Sequence, residues 1–279
     1  MPELPEVESI RLYLDSHIVG KKLIDVEIRE PKMFFGNPTE IIGEKISHVL
    51  RSGKVVTIQF QNNKFLSAHL KLSGQILFAT DKHHAVFKNP IPRANTDTMP
   101  GKTTYIILTF DDNSVVFFND MRKFGWMKLG DKPEIAKGVD VLSTDFTENY
   151  LAQAISKTAR PIKVVLMDQE KMAGIGNIYA NDALYLARIH PSRKANSLNS
   201  EETNRLYTAI LDSIREGLQY RGSSAQDELY VMPDGSKGEY QHHFKAYHQH
   251  GKPCVRCKTI MERIEVGGRG TFFCPKCQQ

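Results

Sequence analysis

Apolar residues recur at Val7, Ile10 and Leu14, a helical stripe that opens just after Pro5, and proline is tolerated in a first helical turn. The spacing predicts a short amphipathic helix. Runs rich in β-branched and aromatic residues follow at Val55–Phe60, Thr104–Phe110 and 114–118, the last two joined by Asp111-Asp112-Asn113, which has hairpin chemistry. The first half is therefore expected to be mostly sheet. Between these runs, residues 80–103 hold His83, His84, Pro90, Pro92, Asn95, Pro100 and Gly101 without periodicity and read as a long loop. Through 131–148 the composition turns polar, after which helical patterns dominate, so a domain boundary is placed there. Tyr207, Ile210, Leu211, Ile214 and Leu218 keep helical spacing behind Ser200-Glu201-Glu202, an N-cap with acids in the first turn. Further helical stretches are read at 163–169 and 177–186, separated by Ala173-Gly174-Ile175-Gly176.

The 279 residues carry 37 Lys and Arg against 32 Asp and Glu, a net +5 that gives a mild reason to look for a polyanionic partner. Its distribution says more. Lys245, Lys252, Arg256, Lys258, Arg263, Arg269 and Lys276 face only Glu262 and Glu265 beyond residue 241, so the whole excess lies in the last stretch of chain. The N-terminus has two acids and two prolines where a signal peptide needs basic and then apolar residues, and no apolar run approaches the ~18 residues of a membrane span. The chain reads as soluble and intracellular, with reduced thiols.

All four cysteines fall in the basic tail as Cys254-x2-Cys257-x16-Cys274-x2-Cys277, the spacing of a four-thiolate structural zinc site with no open coordination position. Four thiolates on one Zn2+ contribute −2, so bulk charge is a poor guide to the partner. The hairpin between the cysteine pairs carries Gly267-Gly268-Arg269-Gly270-Thr271, and an arginine flanked by glycines suits a phosphate contact. At the other end Pro2 follows the initiator Met. Removal of Met1 would expose a secondary amine with a pKa near ~8, far more often neutral at pH 7 than a lysine, and its attack on an aldehyde-level carbon gives an iminium that serves as an electron sink. Glu3 and Glu6 stand beside it as candidate acid and base groups.

The segments Met1-Pro2-Glu3-Leu4-Pro5-Glu6-Val7-Glu8, Lys54, His69-Leu70-Lys71-Leu72-Ser73-Gly74, Asp120-Met121-Arg122-Lys123-Phe124-Gly125, Gly174-Ile175-Gly176-Asn177-Ile178-Tyr179-Ala180 and Arg269-Gly270-Thr271 together resemble formamidopyrimidine-DNA glycosylase, in order along the chain. The resemblance implies an α+β multidomain fold: an N-terminal β-sandwich with flanking helices over 1–134, a linker over 135–150, a helix-two-turns-helix domain over 151–241 that includes the lesion-recognition loop, and a four-cysteine zinc finger over 242–279. Damaged duplex DNA would lie in the groove between. It implies a monomeric, zinc-bearing repair enzyme of bacterial type, cytoplasmic and nucleoid-associated, with no membrane partner.

Carried over position by position, Pro2 is the nucleophile, Glu3 the acid/base group, Glu6 a positioner of the lesion and its water, and Lys54 a phosphate-binding lysine. Asn177 and Arg269 clamp the backbone, with His69, Tyr105 and Lys163 as further DNA contacts. Leu72, Arg122 and Phe124 fill the gap left by the extruded base, and Ser223, Ser224 and Asp227 read that base. Three positions depart from the family: Leu72 where Met is typical, Met121 where the motif usually has Pro, which is expected to loosen the turn presenting Arg122, and Thr103-Thr104-Tyr105 where a His commonly contacts phosphate. The alternatives are an endonuclease VIII-like glycosylase for oxidised pyrimidines, which usually has Gly where this chain has Leu4, and a DNA-binding relative without chemistry, disfavoured by Pro2, Glu3, Glu6 and Lys54 occurring together.

Overall fold

A computed structural model describes residues 1–92, 94–225 and 229–279, arranged as two compact units, Met1–Ile135 with Tyr220–Gln241 and Ala136–Gln219 with His242–Gln279. The first unit opens with α1 (Leu4–Ile18), longer than its apolar stripe suggests because Glu3 and Glu6 close a capping box around Pro5 in the first turn. Its strands are β1 (Leu23–Ile28), β2 (Phe34–Phe35), β3 (Ile46–Ser52), β4 (Val55–Phe60), β5 (Phe65–His69), β6 (Gly74–Ala79), β7 (Val86–Ile91), β8 (Thr96–Thr98), β9 (Thr104–Phe110), β10 (Val115–Asp120) and β11 (Trp126–Gly130). One sheet runs β1-β9-β10-β6 and a second runs β2-β11-β5-β4-β3, antiparallel except for the short β2–β11 pair. Ile76, Ile106, Leu108, Val116 and Phe118 of the first sheet share a core with Val49, Val56, Ile58, Leu66 and Met127 of the second and with Val7, Ile10, Leu14 and Ile18 of α1. That is the expected sandwich with its flanking helix.

The first sheet is buried on its other face too, since Leu77, Ile107, Val115 and Phe117 pack with Phe87, Ile91 and Met99. Strands buried on both faces lose alternation, which is why β9 and β10 read as unbroken apolar runs. The second layer over this face is where the structure departs from the long loop expected at 80–103: β7 and β8 pair there as a hairpin. Only Val86 with Thr98 and Ile91 with Thr96 are in register, with an irregularity between them, so no period-two signal survives in the sequence.

The second unit holds α2 (Glu148–Ser156), α3 (Ile162–Leu166), the short parallel pair β12 (Val139–Asp140) and β13 (Met172–Ala173), α4 (Asn177–Ala187) and α5 (Ser200–Gln219), then the finger strands β14 (Glu262–Val266) and β15 (Arg269–Phe273). Helix α3 stops well before the expected end at 169. Gly217 of α5 is placed so that a Cβ would lie 2.4 Å from the Tyr179 ring of α4, a contact that only glycine permits. The buried Asp182 carboxylate accepts N–H bonds from Lys245, Ala246 and Tyr247 at 3.1, 2.8 and 2.9 Å and so anchors the chain as it enters the finger. Among the described residues no helix is long and apolar enough to cross a membrane.

The expected 151–241 domain is divided in the structure. Residues 220–241 belong to the first unit because they are sewn to it: Phe78 N–H donates to Pro233 O at 2.7 Å, and Tyr230 and Met232 enter the sandwich core.

Candidate active site

Pro2 and Glu3 are buried at the mouth of α1. Glu3 N–H donates to Glu6 Oε2 at 2.8 Å as part of the capping box, and Glu6 Oε1 accepts from Ser223 N–H at 2.8 Å. One buried carboxylate thus ties the N-terminus to a segment 217 residues away. Gly222 turns there with φ +77, and a Cβ on it would lie 2.7 Å from Glu6 Cγ, so the close approach requires glycine. The Ser223 hydroxyl is buried with no hydrogen-bond partner among the described residues. A buried polar group left open in this way is suited to a ligand. Ser224 Oγ donates to Tyr230 O at 2.7 Å and accepts from Gly238 N–H at 3.0 Å, closing the base of the same segment. Burial, with the Glu6 charge, pushes the Tyr230 phenol well above its ordinary pKa, and its hydroxyl donates to Arg221 O at 3.0 Å. Asp227 lies outside the described residues.

Lys54 sits in the turn between β3 and β4 and is only 7% exposed. The turn is braced by Arg51, which donates from Nη1 to Gly53 O at 2.9 Å and from Nε to Glu8 Oε2 at 2.7 Å. His69, at the end of β5, is held down to about 4 by burial and then by the positive charges of Lys71 and Lys54. It is neutral at physiological pH. Because Lys71 N–H donates to its Nδ1 at 3.0 Å, the ring proton resides on Nε2, leaving one donor.

Leu72, Arg122 and Phe124 lie on two turns joined by one carboxylate. Asp120 is fully buried; Oδ1 accepts from the Ser73 hydroxyl and from Arg122 N–H (3.0 Å), and Oδ2 accepts from Gly125 N–H at 2.6 Å. Ser73 Oγ in turn accepts from Arg122 N–H at 3.1 Å. Around Met121 the turn is held by the bonds that this carboxylate accepts. Leu72 and Phe124 would ordinarily be core residues, yet they are 40% and 54% exposed, and the Arg122 guanidinium rests 4.9 Å from the Phe124 ring centroid. Tyr105, at the start of β9, is half-buried with the Lys123 ammonium 4.8 Å from its ring centroid.

In the second unit Asn177 is the first residue of α4, behind the Gly174-Ile175-Gly176 turn. Gln169 holds that turn by accepting from Gly174 N–H at 3.0 Å and donating to Ile175 O at 2.7 Å. Asn177 Nδ2 donates to Gly270 O at 3.2 Å, which ties the helix start to the finger hairpin. Lys163 is not the exposed group that a surface contact suggests. Its side chain is fully buried and its ammonium donates to Gly270 O at 3.0 Å and Thr271 Oγ1 at 2.7 Å, so it supports the hairpin from beneath. Arg269 is exposed beside the two-residue turn Gly267-Gly268, both with positive φ as a tight hairpin of this kind demands.

Cys254, Cys257, Cys274 and Cys277 place their four sulfurs within 4.8 Å of one another, with Cys254 to Cys277 at 3.9 Å and Cys257 to Cys274 at 3.4 Å. Four thiolates at ~2.3 Å from a tetrahedral zinc lie roughly 3.8 Å apart, so the donor set fits one structural Zn2+.

The geometry therefore gathers Pro2, Glu3, Glu6 and Ser223 at one place, Leu72, Arg122 and Phe124 at a second, and Asn177 with the Arg269 hairpin at a third. Sequence reasoning missed Ser73, Asp120 and Gln169, which organise these groups through side-chain to backbone bonds; the runs Leu72-Ser73-Gly74 and Asp120-Met121-Arg122 were the available signal.

Three family models match the chain: the formamidopyrimidine-DNA glycosylase N-terminal domain over residues 1–127, the formamidopyrimidine-DNA glycosylase H2TH domain over 137–228, and the zinc finger found in FPG and IleRS over 251–279. The formamidopyrimidine-DNA glycosylase of Listeria innocua is 37% identical with all of both chains covered. The MutM (Fpg) protein of Thermus thermophilus superposes with a TM-score of 0.84 at 35% identity, covering 99% of this chain and 98% of that one. A mutant Lactococcus lactis FPG in complex with DNA containing Fapy-dG gives 0.85 at 30% identity over the whole of both chains.

Proposed function

The chain belongs to the formamidopyrimidine-DNA glycosylase family, and from that premise we propose that it is a bifunctional glycosylase and abasic-site lyase. It acts on damaged duplex DNA, removes oxidised purines including 8-oxoguanine and formamidopyrimidines, and works as a monomer on the cytoplasmic nucleoid. The observation that carries this reading is the buried linkage in which Glu6 accepts from the Glu3 and Ser223 N–H groups, so that the N-terminal residues Pro2 and Glu3 are tied to Ser223, whose hydroxyl has no hydrogen-bond partner among the described residues. Three kinds of group needed to bind, displace and protonate a base stand together there.

With Met1 in place the Pro2 nitrogen is an amide and inert, so removal of Met1 is a condition of activity. The freed secondary amine attacks C1′ of the damaged nucleotide; the C1′–N bond breaks and the base leaves with a proton. Glu3 serves as the acid/base group for opening of the sugar ring, which yields the iminium at C1′. Loss of a C2′ proton then expels the 3′ phosphate, and a second elimination expels the 5′ phosphate. Glu6, with both oxygens engaged, holds the N-terminus and the Gly222-Ser223 turn in register. Lys54, His69, Asn177 and Arg269 serve as backbone contacts, and Leu72, Arg122 and Phe124 fill the vacated stack, offsetting the few kcal/mol lost on extrusion. The exposure of Leu72 and Phe124 supports that part.

The test is borohydride trapping on a duplex with 8-oxoguanine opposite cytosine, using protein whose N-terminus has been verified by mass spectrometry. A covalent adduct is expected, and Pro2→Gly should abolish it. An adduct formed with oxidised pyrimidines alone would favour the endonuclease VIII-like reading; no adduct with any lesion would reduce the protein to a DNA-binding relative.

A further inference from the structure

Strand β6 lies at the edge of the four-stranded sheet, and the backbone at Leu229 and Pro233 bonds to it. Phe78 N–H reaches Pro233 O, as noted above. Three residues earlier on the same strand Gln75, 5% exposed, donates from Nε2 to Leu229 O at 2.6 Å and, at the longer distance of 3.4 Å, to Pro92 O in the connection between β7 and β8. One carboxamide thus joins three pieces of backbone: β6, the β7–β8 hairpin and the returning leg of the recognition segment. The outgoing leg is fixed elsewhere, by Glu6 on Ser223 N–H, and Ser224 Oγ on Tyr230 O couples the two legs. Gln75 is also two residues from Ser73 and three from Leu72, on the strand that begins where the exposed Leu72 turn ends.

We propose that Gln75 is a positioning residue for base recognition. By holding Leu229 it sets the leg opposite Ser223, and by standing on β6 it places that leg in register with the Leu72 turn, so that the base-reading segment and the wedge are referenced to one strand. This rests on the glycosylase reading above. Gln75 touches no reacting atom, and its effect is confined to steps that require a base to be read. Cleavage at a preformed abasic site has no base to read and does not depend on it.

The experiment compares two single-turnover reactions of the full-length protein: release of 8-oxoguanine from a duplex, and incision of the same duplex carrying an abasic site. Gln75→Glu keeps size and shape but turns the donor into an acceptor facing two carbonyl oxygens; Gln75→Leu removes it outright. A buried carbonyl left unsatisfied costs enough that base release should fall roughly tenfold or more in both variants, with abasic-site incision within about twofold of the parent. Equal losses in both reactions, or no loss of base release, would overturn the proposal. Failure of the parent protein on both duplexes would instead overturn the reading of function, so the two failures are distinct.

Discussion

The turn at 120–125 and the turn at 266–269 each present an arginine, Arg122 and Arg269, yet they are held by different physics. The first joins β10 of the four-stranded sheet to β11 of the five-stranded one, and one buried carboxylate, Asp120, satisfies Ser73, Arg122 and Gly125 around it. The second stands on a two-stranded hairpin with little core of its own, whose cysteine pairs supply a metal cage and whose Gly270-Thr271 stretch is propped by the buried Lys163. Where a sandwich already exists, a hydrogen-bonded acid suffices to shape a turn. Where no core exists, the folding energy must come from a metal.

The largest expected effect breaks this comparison from the finger side. Zn2+ binding to four thiolates is worth on the order of 10 kcal/mol to a small domain. Chelation, or Cys274→Ser, should therefore unfold the finger and abolish DNA binding while the sandwich retains its cooperative thermal transition. Calorimetry alongside a DNA-binding titration checks both halves, and undiminished affinity would contradict the role given to Arg269.

From the sandwich side, Asp120→Asn puts an amide among donors that need an acceptor, leaving at least one buried N–H or O–H unsatisfied. That costs about 2–4 kcal/mol. Unlike metal loss it should leave the fold in place and act on the turn, lowering lesion excision by tenfold or more as Leu72, Arg122 and Phe124 lose their common support. Denaturant melts and single-turnover rates on the same sample decide it; wild-type rates with an unaltered midpoint would show that the turn is fixed by something other than this carboxylate.

The same contrast explains what the sequence disclosed. The α1 stripe, the β4, β9 and β10 runs, the α5 periodicity and the Cys-x2-Cys pairs were legible because each is a local pattern, and the family resemblance supplied the site residues that no local pattern would single out. The burial of Lys163, the allegiance of 220–241 and the β7–β8 hairpin were not legible. They depend on bonds such as Glu6 to Ser223 and Ser73 to Asp120, which span 217 and 47 residues and leave no periodic trace.

The smallest effect is a pH dependence that separates the two tips further. His69, whose ring accepts from Lys71 N–H in the turn that carries Leu72, has its folded pKa lowered from 6.5 to about 4 by burial first and then by Lys71 and Lys54. A lowered histidine pKa means that the unfolded chain binds the proton more readily. The contribution is thus fully present above pH 6.5 and is lost as pH falls toward 4, amounting to roughly 3 kcal/mol across that window. Replacing His69 with Gln should flatten the stability profile of the sandwich between pH 6.5 and 4 while leaving its value near pH 8 little changed apart from the lost ring packing on Trp126, 5.8 Å away. Urea midpoints measured across that range test it. An unchanged acid slope in the variant would mean that His69 is protonated in the folded state, and that the turn carrying Leu72 is held without the neutral ring.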